Sequence, residues 1–253
     1  MIIKRFIQAV FAFLAGLIVV NFGLAGGMIL VPLLMYTGDK LKKAAATSLA
    51  VITFIALSGT YQHIKITKAL EFNEGNILLL TMGLLGAMIG SVLLTKIKNK
   101  TLTLLTTIYF FIVGGILLFS ATYNEVEFLY ELPKNVYWIM GLPIAFLSSF
   151  FGIGSGAMLT PALMFGFEAT PKEAIAITLP FIFLLTFTST LVNMKNNLLD
   201  YVALMVMVPF AVLGSLSATF VYFYIQDIHV QIALGSLMVL TAFVMMVRSI
   251  SRS

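Results

Sequence analysis

The sequence predicts an all-α polytopic membrane protein made of two inverted-topology repeats, each a broken, re-entrant-like hairpin followed by three transmembrane helices. Three observations predict it. Sixty per cent of the 253 residues are hydrophobic and 10% are charged, with a mean hydropathy of +1.07, whereas charged residues make up roughly a quarter of a soluble globule. The charges leave eight long uncharged stretches, two of which run for 33 residues. Within those two lies a fifteen-residue passage that occurs twice, 129 residues apart.

The stretches run 6–38, 44–62, 77–95, 101–121, 135–167, 174–194, 201–225 and 230–247. Six suit single crossings, because about 20 residues at roughly 1.5 Å each cover a hydrocarbon core of about 30 Å. The first and fifth do not, since a straight helix of that length would reach about 50 Å. Charge placement decides what they do instead. If all eight cross once from a cytoplasmic N-terminus, Lys and Arg divide eight inside and seven outside, which is no bias. If the two long stretches double back, eleven lie inside and only Lys65, Lys68, Lys134 and Lys172 lie outside. That is the asymmetry of the positive-inside rule. Each half then makes an odd number of transits, so the halves start on opposite sides and are inverted against each other. The chain reads as one domain over 1–253: repeat one at about 1–121, an external acidic loop at about 122–134 with Glu125, Glu127 and Glu131, and repeat two at about 135–253. Both termini are expected in the cytoplasm, in the cell membrane.

The duplicated passage reads NFGLAGGMILVPLLM at 21–35 and FFGIGSGAMLTPALM at 150–164, with Phe, Gly, Gly, Leu, Pro, Leu and Met identical at seven positions. Glycine and proline are the poorest helix residues, and irregular backbone at membrane depth is tolerated only where it is buried in protein or lines a cavity. Paired Gly/Pro-interrupted segments in corresponding positions point to a transporter's binding site. The similarity continues: Thr47-Ser48 faces Ile177-Thr178, Thr60 and His63 face Thr190 and Asn193, and Gly90-Ser91 faces Gly214-Ser215.

No Asp, Glu, Lys or Arg lies well inside any of these stretches, which argues against a proton relay or a cation site built from carboxylates. Backbone and hydroxyl chemistry remain. A helix restarting after a glycine break presents free N–H groups and a positive dipole end, which bind anions. Gly23, Ala25, Gly26 and Gly27 offer that backbone in the first copy; Gly152, Gly154, Ser155 and Gly156 offer it in the second. Asn21, Thr47, Ser48, Thr60, Thr178, Thr190 and Asn193 supply side chains to complete a substrate-binding cavity. His63 reads as a solvated, interfacial histidine.

Other classes are excluded or weak. There are no cysteines, so disulfides, thiolate metal sites and redox pairs are ruled out. The net charge of +5 is scattered between apolar runs and marks topology, not nucleic-acid binding. Gly152-x-Gly154-x-x-Ala157 nominally matches a dinucleotide fingerprint but lacks a strand–helix context. No Walker A motif and no nucleophile–base pair occur, so neither catalytic residues, nor metal, nor cofactor is expected.

At the GLAGGMILVPLL and GIGSGAMLTPAL copies, each followed by an Ala/Thr/Ser-rich span (AAATSLAV and AIAITLPF), the chain resembles the sulfite exporter TauE/SafE family of membrane permeases. The resemblance implies an inner-membrane transporter of sulfite, sulfonates or related sulfur compounds. The expected function is therefore secondary transport of a small anion by alternating access. Its partners are the anionic substrate and the bilayer, and a homo-oligomer is compatible with the sequence. Two other readings stay open: a transporter of a neutral or cationic solute, and a non-transporting membrane scaffold subunit whose glycines merely permit close packing.

Overall fold

The computed structural model describes residues 2–23, 26–67, 74–123, 139–166, 171–222 and 227–251, and all regular structure among them is α-helical. In chain order the helices are α1 (Ile2–Phe22), α2 (Gly27–Tyr36), α3 (Leu41–Thr67), α4 (Glu74–Lys96), α5 (Asn99–Tyr123), α6 (Gly141–Phe151), α7 (Gly156–Gly166), α8 (Pro171–Lys195), α9 (Tyr201–Tyr222) and α10 (Asp227–Ser251). The six expected crossings fall on α3, α4, α5, α8, α9 and α10. The two long stretches break into α1–α2 and α6–α7. Six of the described helices, α1, α3, α4, α5, α8 and α9, are long and apolar enough to cross a membrane, while the described apolar stretch of α10 is shorter, Gly235–Val247, so this is a multi-pass membrane protein. The acidic loop at 122–134 lies almost wholly outside the described residues.

Both breaks begin at a glycine with left-handed backbone, Gly23 at φ 62° and Gly152 at φ 71°. An L side chain there costs about 1–2 kcal/mol, which is why the break falls on the glycine present in both copies. The limbs of the first hairpin are unequal. At about 1.5 Å per residue, α1 is about 31 Å long and α2 about 15 Å. The chain does return: Gln8 Nε2 donates to Thr37 Oγ1 at 3.0 Å, and Arg5 Nη1 donates to Gln8 Oε1 at 2.7 Å. Thus α2 ends beside the first third of α1. In the second hairpin, Leu163 of α7 packs in one cluster with Leu79 of α4, and the Leu79 carbonyl abuts Gly141 at the start of α6. That hairpin doubles back as well.

Helix α4 serves as a ruler. Its Leu79 end carries the start of α6, while at its other end the Thr95 carbonyl accepts from Lys42 Nζ at the start of α3. Helix α3 follows directly on the loop that Gln8 ties to α1. The two hairpins therefore open towards different ends of the bundle.

Each hairpin's first limb packs chiefly on a helix of the other half, α1 on α9 and α6 on α4, while α3 pairs with α8 and α5 with α10. Glycines let these backbones approach: a Cβ on Gly214 would overlap the Phe13 carbonyl, and one on Gly90 would overlap the Phe146 carbonyl. Small residues at crossings are how helices gain close packing where lipid is as apolar as the side chains. The remaining faces, with Ile112, Met205 and Leu240 all more than half exposed, are what a bilayer solvates.

Candidate functional site

The two breaks meet inside the bundle. A Cβ on Gly27 would overlap the Gly152 and Ile153 carbonyls, and a Cβ on Gly156 would overlap the Gly23 carbonyl. The first residue of each return limb thus lies against the break of the other half. The Gly27 N–H donates to the Ile153 carbonyl at 3.2 Å, so the N-terminus of α2 is capped by a carbonyl from the opposite hairpin. Both break carbonyls are claimed by hydroxyls, each across the halves. Ser48 Oγ donates to the Gly152 carbonyl at 2.6 Å, and Thr160 Oγ1 donates to the Gly23 carbonyl at 3.1 Å. Thr160 also lies 3.4 Å from Thr178 Oγ1. Ser48 and Thr178 are corresponding positions, so the same hydroxyl acts directly in one half and sits behind Thr160 in the other.

The duplicated prolines follow the same logic. A helical proline leaves the carbonyl four residues earlier without its N–H. Pro32 frees the Met28 carbonyl, which accepts from Thr241 Oγ1 of α10 at 3.2 Å. Pro161 frees the Ala157 carbonyl, which accepts from the Tyr109 hydroxyl of α5 at 3.3 Å. Each hydroxyl again comes from the other half.

Around the breaks the expected site residues fall into two groups. One group is structural. Thr47 Oγ1 accepts the Asp200 N–H at 2.9 Å, just ahead of α9. Gly26 supplies the carbonyl that starts α2, accepting from Ile29 and Leu30. Thr190 Oγ1 donates to the Thr186 carbonyl and lies 3.3 Å from Thr53 Oγ1. Gly154 holds left-handed backbone at φ 87°.

The other group carries buried orphan atoms among the described residues. Ser155 is fully buried at the N-terminus of α7, where its carbonyl accepts from Met158 and Leu159, yet its hydroxyl has no partner. Asn193 is fully buried with neither Nδ2 nor Oδ1 partnered. Asn21 is 2% exposed; Nδ2 donates to the Leu17 carbonyl at 2.9 Å and Oδ1 has no partner. Thr60 Oγ1 is likewise unpartnered. Ala25 lies outside the described residues.

His63 corrects the sequence expectation. It is 4% exposed, not solvated, and bonds the Val20 backbone, because α3 runs against the upper part of α1. The sequence reading also missed Thr160, Ser149 and Ser189. Ser149 of α6 and Ser189 of α8 pair at 2.7 Å. The signals were present: Thr160 sits inside the duplicated passage, and Ser189 shares the three-to-four spacing of Thr186 and Asn193 on α8.

The family model for sulfite exporter TauE/SafE matches residues 8–245, nearly the whole chain and both breaks. The chain belongs to the TauE/SafE family. This TauE/SafE protein is a membrane transporter, not an enzyme. Among curated proteins it is similar to "Probable membrane transporter protein YunE" of Bacillus subtilis (strain 168), 26% identical over 233 residues, covering 82% of this chain and 85% of that protein. No solved structure matches it.

Proposed function

We propose that this protein is a secondary transporter of a small anion, a sulfur oxyanion or sulfonate, working by alternating access across the cell membrane. The observation that carries the reading is the N-terminus of α7. It lies in the protein interior, and the fully buried Ser155 hydroxyl there has no partner. A helix N-terminus favours negative charge, and an unpartnered hydroxyl adds a donor that costs about 1–3 kcal/mol to leave unused. At the α2 N-terminus, the Ile153 carbonyl that accepts from Gly27 occupies the place an anionic oxygen would take. Substrate would compete with it, and the two halves would part as it does.

An inverted-repeat organisation supports this cycle. The main helix pairs are preserved when the halves are exchanged: α1 on α9 becomes α6 on α4, and α3 on α8 becomes itself. The break carbonyls are held across the halves in both directions, by Ser48 at Gly152 and by Thr160 at Gly23, though from positions that do not correspond. In this reading the end bearing Arg5, Lys42 and Lys43 faces the cytoplasm, with both termini. The family's description as a sulfite exporter supports the substrate class.

Reconstituted vesicles test it. Sulfite and simple sulfonates should move under an imposed ion gradient. Ser155→Ala should lower the rate by about tenfold, the loss of one charge-assisted hydrogen bond, while melting no lower than the wild type. No flux of any small anion under any gradient would sink the reading.

A further inference from the structure

Asn193 is the most conspicuous orphan in the described chain: a fully buried carboxamide with neither its oxygen nor its nitrogen bonded. A carboxamide has two N–H donors and an oxygen with two lone pairs, and leaving such a group unsatisfied in the interior is costly. Its surroundings follow from register. On α6 and α8, Ala145 clusters with Leu185, and one turn on Ser149 bonds Ser189. The two helices therefore run in parallel with matched turns. The next turn brings Asn193 level with Gly152 and Ile153, where α6 ends. A second register agrees. Thr53 of α3 lies between Thr186 and Thr190 of α8, within 3.1 Å and 3.3 Å of their hydroxyls. Helix α3 runs antiparallel to α8 there, so one turn beyond Thr190 reaches the level of Ser48. Ser48 is the residue that holds the Gly152 carbonyl.

What converges on that level is oxygen without charge. The Gly152 carbonyl has a second lone pair beyond the one Ser48 uses, and Ser48 Oγ keeps lone pairs of its own. Of the last carbonyls of α6, that of Ser148 accepts from the Gly152 and Ile153 N–H groups, and those of Ser149, Phe150 and Phe151 form the negative end of its dipole. That end repels an anion. Unwound carbonyls and half-helix C-termini are the usual cradle of a coupling cation in transporters with broken helices. We propose that Asn193 Oδ1, the Gly152 carbonyl and the final carbonyls of α6 bind a monovalent cation of sodium's size. The ligands are neutral, so a divalent ion gains too little to lose its water. The site is independent of the anion at α7 and lies on the other side of the same break. It gives the protein a coupling ion without an acidic residue in the membrane. It also exists once, because the position corresponding to Asn193 is His63, which bonds Val20 instead.

The test needs no transport, so its failure is distinct from failure of the anion reading. Purified protein without organic or sulfur anions is melted in sodium, potassium or choline chloride at one ionic strength. Sodium at ten times its Kd should raise Tm by about 3–5 °C over choline. Asn193→Leu should abolish that rise and, having lost an unsatisfied amide, melt in choline no lower than the wild type. Asn193→Asp keeps the volume and adds a charge, so the sodium concentration for half the rise should fall by about tenfold or more. Equal melting of the wild type in all three salts would overturn the proposal. So would a sodium-specific rise that survives Asn193→Leu. If Asn193→Leu fails to fold, an Asn193→Asp protein whose sodium response is unchanged overturns it equally.

Discussion

The breaks at Gly23 and Gly152 share a backbone and differ in what surrounds it. Both are left-handed glycines, both have a carbonyl held by a hydroxyl from elsewhere in the bundle, and both abut the first residue of the opposite return helix. Corresponding positions then diverge. Where the second half has Ser148, Ser149, Ser155, Ser189 and Asn193, the first has Val19, Val20, Gly26, Gly59 and His63. The helix crossing that Ser149 and Ser189 make with a hydrogen bond is made in the first half by Gly59 against Val20. The interlock is common to both copies, while at these positions the polar side chains lie in the second; Asn21, opposite Phe150, is the exception in the first.

The largest effects should come from the glycines themselves, and unequally. At Gly152 a Cβ would strike the backbone of Ala45 as well as its side chain, and α3 cannot move aside there without breaking the Ser48 bond. Gly152→Ala should cost about 4 kcal/mol, from left-handed strain of about 1–2 kcal/mol plus overpacking, and should reduce folded protein sharply. At Gly23 the nearest atoms are Ile175 Cγ1 and Thr160 Oγ1, both side-chain atoms, and the nearest backbone, that of Ile175, lies farther off at 3.5 Å. Gly23→Ala should cost about 2 kcal/mol. Melting of both variants in detergent ranks them, and a Gly23 variant as damaged as the Gly152 variant would show the breaks to be equally rigid.

Much of this was legible in the sequence, and for a physical reason. Lysine distribution and stretch length report on bilayer thickness and topology, so the doubling back of 6–38 and 135–167 followed from counting. The glycines of the two breaks were legible because left-handed backbone excludes other residues. Partner choice was not. Thr47 and Ser48 are adjacent, yet one receives the Asp200 N–H and the other holds a break carbonyl, because helical neighbours point about 100° apart. Nothing in local sequence tells which of the two faces the other hairpin. Thr160 was overlooked because its counterpart is Val31, and a search for shared residues discards what only one copy has.

A middle-sized effect should separate the two carbonyl clamps. Ser48→Ala removes a 2.6 Å bond in a fully buried place and leaves the Gly152 carbonyl unpaired, at about 1–3 kcal/mol. Thr160→Val keeps the shape and removes a longer bond of 3.1 Å, at about 1 kcal/mol. If the second break is the stiffer frame, the serine change should lower Tm more. Reversal of that order would place the rigid hinge at Gly23.

The smallest effect concerns a polar group at the rim of the first half. The α2–α3 turn carries Asp39, 9% exposed with Oδ2 unpartnered among the described residues. Burial raises its pKa above the ordinary 3.8, Asp200 raises it further, and Lys43, Lys4 and Arg5 pull it down. The sign follows from linkage. A folded-state pKa above the unfolded value means that the folded protein binds the proton more tightly. Stability from this group therefore grows as pH falls through the folded pKa, is complete below 3.8, and is lost as pH rises again. Asp39→Asn mimics the protonated form and keeps the backbone bond from residue 39 to the Leu34 carbonyl. It should melt higher than the wild type at pH 7, by less than about 1 kcal/mol in stability. That advantage should shrink towards zero as both are titrated down to the ordinary carboxylate range. An Asp39→Asn protein less stable at pH 7 would mean that the three cations outweigh burial and Asp200. The rim of the first hairpin would then be an ion-pair clamp holding α2 to α1 and α3, not a strained carboxylate that a proton relaxes.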